Sequence, residues 1–260
     1  MKQYTLPKTG GMARINMLGE EDIVDVLALQ EATRNALPAD MKMFVLPQPM
    51  GYFADLLAGR RGAMIGIRAE TPTGRGQLIA QMVVMGPMEL REALMMRLIT
   101  KNDVTFHHAA LTDSVVIFKS MAVHPNWRGN ELSQHLISFA LELPLVRVAA
   151  HVFAQISAAN RRSWDTFVRQ GFGIVAAGYD PADKQPRFVF QKPAFGFDFA
   201  PAIIADEVDP REDFPAIINL TQREGLVGMF DADAPEKLVF LRSRDALNLL
   251  PTIAQVKAGE

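Results

Sequence analysis

The chain of 260 residues has no cysteine. Disulfides, thiolate-held zinc and a cysteine nucleophile are therefore excluded. Long apolar runs are missing too: nothing approaches the ~18 charge-free residues of a membrane span. The opening MKQYTLPKTGGMARINML lacks the uninterrupted apolar core of a secretory signal. A cytoplasmic protein with no membrane partner is the expectation. An excess of one charge is also absent, with 27 basic residues against 29 acidic ones. A net charge of −2 gives no general attraction to nucleic acid.

What is present describes a globular chain. Hydrophobic residues make up 49% and charged residues 22%, enough for a sizeable core in one large domain or a domain with an appendage. The segments 13–18, 63–70, 77–85, 113–123, 146–156, 172–180 and 186–192 read as strands. The segments 19–37, 52–59, 87–99, 131–143 and 159–170 read as helices. In the first helix Ile23, Val26, Leu27 and Ala32 fall near helical spacing. In the fourth, Leu132, Leu136, Ala140 and Leu143 form one apolar stripe. Hairpins join some strands and helices separate others, which predicts a mixed α/β (α+β) sheet with helices on both faces.

From Pro193 the composition shifts. The stretch 195–215 is rich in proline and acids and reads as a connector. A helix over 215–227, KLVFLRS and ALNLLPTIAQV follow, giving a domain at 1–192 and a small C-terminal α/β extension at 193–260. Three roles stay open for that tail: capping a substrate groove, homodimerisation, or packing alone. KLVFLRS could add to a sheet edge.

The most informative stretch is MAVHPNWRGNELSQHL, residues 121–136. A strand ends at Val123, the chain turns at Pro125, and a helix begins after Arg128-Gly129-Asn130. The first N–H groups of a helix have no internal partner, and the helix dipole places partial positive charge there. A glycine lets a ligand approach the backbone, and Arg128 adds charge. A phosphate or diphosphate suits such a device; a plain strand-to-helix turn with a solvated arginine is the alternative. Neither the phosphate loop of ATPases nor the three-glycine dinucleotide fingerprint matches.

Val123-His124-Pro125-Asn126-Trp127-Arg128-Gly129-Asn130-Glu131-Leu132 resembles the acyl-CoA-binding motif of the GNAT superfamily of N-acyltransferases. Asn160-Arg161-Arg162-Ser163-Trp164-Asp165-Thr166-Phe167, followed by Gly171-Phe172, resembles the family's second block, N-x-x-S/A-x-x-x-Y with G-F. The likeness covers about residues 12–192. It implies a mostly antiparallel GNAT-type sheet, with acetyl-CoA or another acyl-CoA as co-substrate and no metal. The acceptor it implies is a primary amine of a small molecule or peptide. On this resemblance Met121 and Val123 offer backbone groups to the pantetheine arm, and the amides of Arg128, Gly129, Asn130, Glu131, Leu132 and Ser133 hold the pyrophosphate. Asn160 bonds the pantetheine, while Ser163 and Phe167 line the thiol end. Arg161 and Arg162 reach the adenosine phosphates or form a solvated face.

This chain departs from the pattern at several positions. Glu131 stands where the motif has a second glycine, and Ser133 where it has glycine or alanine. A carboxylate ~4 Å from a phosphate costs about 1 kcal/mol in water and about 4 kcal/mol at an effective dielectric near 20. Charge-assisted amide bonds of roughly 1.5–3 kcal/mol each outweigh that if the side chain points to solvent. Phe167 replaces the tyrosine that protonates the leaving thiolate, and Lys119 occupies the usual address of a general-base glutamate. Acyl transfer needs a deprotonated amine and a stabilised oxyanion. A backbone N–H near Val123 suits the second need. For the first, His124 is the catalytic candidate, with His107, His108, His151 and Ser120 as others on chemistry alone. Two functions follow: N-acyl transfer by direct attack in a ternary complex, or a CoA-binding sensor with weak or no catalysis. An interaction module built on the tail is a third. The fourteen methionines read as flexible core or groove lining rather than a metal site.

Overall fold

The computed structural model describes residues 2–45, 47–70, 76–99, 109–180, 183–197, 199–208, 213–223, 225–230 and 238–243. The turn at 71–75, His107 and His108, and the segment 246–256 lie outside the described residues. The chain divides into two compact units. Unit 1 takes residues 1–87 and 116–148; unit 2 takes 88–115 and the described residues from 149 on.

Unit 1 carries strands β1 (Lys2–Thr5), β2 (Met12–Met17), β3 (Gly62–Ala69), β4 (Leu78–Glu89) and β5 (Ser114–Val123), hydrogen-bonded in that order. The pairs β1–β2, β2–β3 and β3–β4 are antiparallel. Its helices are α1 (Ile23–Asn35), α2 (Met50–Leu57), α4 (Leu132–Leu141) and the single turn α5 (Pro144–Arg147), while α3 (Leu90–Met95) belongs to unit 2. The apolar stripe expected on α4 is the buried one: Leu132, Leu136, Ala140 and Leu143 are all in the core, joined by Ile137.

On α1 the buried face runs through Val26, Leu29 and Thr33 rather than through Ile23, Leu27 and Ala32. The difference lies in polar residues that are buried because they are paired. Thr33 Oγ1 donates to the Leu29 carbonyl at 2.8 Å. Asp22, just before the helix, meets Arg68 of β3, and both side chains are only 4% exposed. The Arg68 guanidinium also reaches Asp25 at 2.5 Å and the Gly76 carbonyl at 2.8 Å. A buried cation is tolerable only when its donors are taken up in this way. The ion cluster thus fixes α1 against β3.

Unit 2 carries β6 (His151–Ser157), β7 (Gly173–Tyr179), β8 (Pro186–Pro193), β9 (Phe199–Val208), β10 (Leu226–Phe230) and β11 (Leu238–Ser243), in the order β6-β8-β7-β10-β11-β9. The pairs β6–β8, β7–β8, β7–β10, β10–β11 and β9–β11 are antiparallel. Helices α6 (Arg161–Arg169) and α7 (Phe214–Ile218) complete it. Trp164, Phe167, Phe172, Phe188 and Phe190 form its aromatic core through edge-on and tilted contacts of 5.0–6.1 Å. Gly173 is required at the β7–β10 junction, since a Cβ there would lie 2.3 Å from Val227 Cγ1.

Four sequence-based boundaries move. The strand expected over 146–156 begins only at His151, because Pro144 pre-sets a helical turn at 144–147. The helix expected over 87–99 is confined to α3. The N–H groups of Leu90 and Arg91 are still engaged by the carbonyls of Asp113 and Leu111. The helix expected over 215–227 stops near Arg223, where Gly225 turns left-handed at φ 64° and β10 begins. The connector at 195–215 contains β9, whose partner β11 supplies the hydrogen bonds that its proline and acids disguise.

The cluster around Arg68 makes a direct prediction. Arg68→Met removes the guanidinium that faces the buried Asp22 carboxylate, and the unfolding free energy should fall by about 3–5 kcal/mol. A lower urea midpoint at unchanged slope would register it.

Candidate functional site

The stretch 121–136 lies wholly in unit 1. At its start β5 is interrupted: Ser120 adopts φ 48°, a left-handed conformation that a serine rarely takes inside a strand. Strained backbone of this kind collects at bulges and functional sites. The sequence held no glycine or asparagine to signal it. Burial raises the pKa of the nearby Tyr52 hydroxyl, and its hydrogen bond with the Ser120 side chain pulls it partly back. Burial also lowers the pKa of Lys119, shifting that amine toward its neutral form. Beyond the kink come Met121 and Val123, half-buried. Thr33 Oγ1 approaches the Val123 carbonyl at 3.5 Å.

His124 follows and caps a 3-10 turn at Pro125–Trp127. Its Nδ1 accepts from the Asn126 N–H at 3.3 Å. A neutral ring that accepts at Nδ1 carries its proton on Nε2, so this histidine presents a donor.

The loop then enters α4 through two left-handed residues, Gly129 at φ 86° and Glu131 at φ 56°. Glu131 thus occupies a conformation that favours glycine, and its side chain is exposed. Between them Asn130 is completely buried. Its Oδ1 accepts from the Lys8 N–H at 2.8 Å and its Nδ2 donates to the Trp127 carbonyl at 3.0 Å. Asn130 is therefore a clamp, a role that sequence reasoning missed when it counted only the residue's amide. It ties the loop to the β1–β2 hairpin. Two further contacts hold that hairpin along α4: Lys2 with Glu142 at 2.6 Å, and the Tyr4 ring stacked on His135 at 4.0 Å. Burial lowers the His135 pKa against the opposing pull of Glu131.

This construction leaves a run of unused donors. Among the described residues, the N–H groups of Gly129, Asn130, Glu131, Leu132, Ser133 and Gln134 donate to no acceptor. The first donor taken up is the N–H of His135, bonded to the Glu131 carbonyl at 3.1 Å. Arg128, half-buried, stands at the head of the run. A helix start with free amides, left-handed turns and a cation is chemically fitted to an anionic oxygen cluster.

The second motif lies in unit 2 and opens α6. Asn160 is its N-cap, with Oδ1 accepting from the Ser163 N–H at 3.4 Å. Ser163 is half-buried, and Phe167 is packed at 5.0 Å from Phe172. Arg161 lies 5.8 Å from the Trp164 ring centre, while Arg162 is exposed. His151 is held on both sides, with Nε2 at 3.1 Å from Asp113 and Nδ1 at 3.0 Å from Gln191. That pairing occupies both ring nitrogens and suits a structural role. Among the described residues no group of three or more His, Asp or Glu side chains could hold a metal ion, and no helix is long and apolar enough to cross a membrane.

The left-handed Glu131 yields a stability prediction. A side chain in this region costs about 1–2 kcal/mol relative to right-handed backbone, partly offset by the extra chain entropy that glycine loses on folding. Glu131→Gly should therefore raise the unfolding free energy by up to about 1 kcal/mol. Glu131→Val should lower it, both read by chemical denaturation.

Neither a family model nor a curated protein matches the chain. Solved structures do. NAA60 of Arabidopsis thaliana in complex with acetyl-CoA aligns over 71% of this chain and 99% of its own, at 14% identity and a TM-score of 0.52. A GNAT-family acetyltransferase from Listeria monocytogenes aligns over 74% of this chain and 99% of its own, at 13% identity and a TM-score of 0.50. At such identities the likeness speaks for architecture, and the architecture of this chain is the GNAT fold.

Proposed function

We propose that this chain binds acetyl-CoA, or another acyl-CoA, and transfers the acyl group to a primary amine of a small molecule or peptide. The observation that carries the proposal is the run of undonated N–H groups from Gly129 to Gln134, headed by Arg128. Diphosphate oxygens would accept from those amides, each charge-assisted bond contributing roughly 1.5–3 kcal/mol. The backbone of Met121 and Val123, past the kink at Ser120, would bond the pantetheine amides as a sheet edge bonds an added strand. Asn160, Ser163 and Phe167 enter as further coenzyme contacts on the sequence resemblance alone.

In the reaction a neutral amine attacks the thioester carbonyl and forms the C–N bond, the C–S bond breaks, and the proton given up by the nitrogen balances the one taken up by the leaving thiolate. No acyl-enzyme is required, in keeping with a chain that has no cysteine. His124 enters with its Nε2–H, as a donor to the developing oxyanion or to the leaving sulfur, rather than as the base. The second reading, a coenzyme sensor without turnover, is favoured by Phe167, which carries no proton to give and packs against Phe172 and Phe190.

Acetyl-CoA at 100 times its dissociation constant should stabilise the fold by about 2.7 kcal/mol, seen as a raised melting temperature. Ser133→Pro removes one N–H from the first turn of α4, where proline is tolerated. It should weaken acetyl-CoA binding about tenfold in calorimetry, and unchanged affinity would place the diphosphate elsewhere. Release of CoA thiol with a panel of amines and peptides identifies a transferase. Binding with no release on any acceptor identifies the sensor.

A further inference from the structure

The loop at 128–134 has an electrostatic deficit that the family motif does not have. Glu131 adds a carboxylate where the motif has a glycine, and the cation inside the motif is Arg128 alone. A diphosphate brings about two negative charges of its own. The geometry points to a second cation, supplied from outside both motifs: Lys8, at the tip of the β1–β2 hairpin, is a diphosphate-binding residue of the same site. This inference rests on the acyl-CoA reading above.

Lys8 is fixed in place by its backbone. Its N–H is held at 2.8 Å by Oδ1 of Asn130, which is completely buried in the middle of the loop. Its side chain then crosses Gly129: a Cβ built on that glycine would sit 3.5 Å from Lys8 Cδ, in van der Waals contact. The ammonium is carried two bonds beyond Cδ on a flexible stem. Lys8 is exposed and forms no ion pair with any described residue. The Lys2–Glu142 pair and the Tyr4–His135 stack hold the same hairpin along α4, so the lysine approaches from a braced support. An ammonium is a compact point charge with rotatable donors, suited to phosphate oxygens without demanding one geometry. Asn130 thus does two things at once: it shapes the loop and it delivers the cation.

The test uses the full chain and two probes. Calorimetry with acetyl-CoA should show Lys8→Met weakening binding about tenfold, with Lys8→Arg close to wild type. Lys8→Gln, which stays polar, should behave as Lys8→Met. S-acetylpantetheine, which lacks the diphosphate, should bind all four proteins equally, and their melting temperatures without ligand should agree. Unchanged acetyl-CoA affinity in Lys8→Met and Lys8→Gln overturns the role of Lys8 while leaving the acyl-CoA reading intact. Equal weakening toward both probes also overturns it, because the effect would then be structural. A wild-type chain that binds no acetyl-CoA overturns both.

Discussion

A helix must leave its first N–H groups without internal partners, and here almost nothing in unit 1 takes them up. The donors from Gly129 to Gln134 find no acceptor among the described residues. The fully buried Asn130 spends its side chain on the Trp127 carbonyl and the Lys8 N–H, leaving the backbone amides of the loop uncommitted. Buried backbone donors are ordinarily satisfied, so such a run is expected only where solvent or a ligand can reach it.

The conformation of this loop is imposed rather than preferred. Glutamate has no liking for the left-handed region, and neither has serine, yet Glu131 and Ser120 both adopt it. Their surroundings hold them there. Asn130 anchors one side of the loop, and the N–H of His124 bonds the Ile79 carbonyl of β4 at 2.9 Å. Thr33 binds α1 to the end of β5, while Arg68 locks α1 to β3. Local strain is tolerated when a packed framework of this kind over-determines it.

How much of this could be read in the sequence follows from how local each signal is. The stripe on α4 was legible because helical spacing alone encodes it. The strands β3, β4, β7 and β8 were legible as apolar runs bounded by turn residues. The free donors were foreseeable from Gly129 and the strand-to-helix change. Other features depend on partners far away in the chain. The polar residues Asp22 and Thr33 disguised the true face of α1, and the proline and acids of β9 hid a strand that β11 completes. The kink at Ser120 had no glycine to mark it. Asn130 was counted for its amide, whereas its side chain does the bracing. His151 was a candidate on chemistry alone, and its partners Asp113 and Gln191 are distant in sequence.

The hairpin laid along α4 joins parts of the chain that are distant in sequence. Lys8 and Asn130 are 122 residues apart, and Lys2 and Glu142 are 140 apart. Closing loops of that size requires chain entropy to be surrendered before the contacts reward it, which delays such contacts relative to local ones. The loop at 128–134 therefore acquires its final shape only when the two ends of unit 1 have met. Its readiness for a ligand reports on the completeness of folding there.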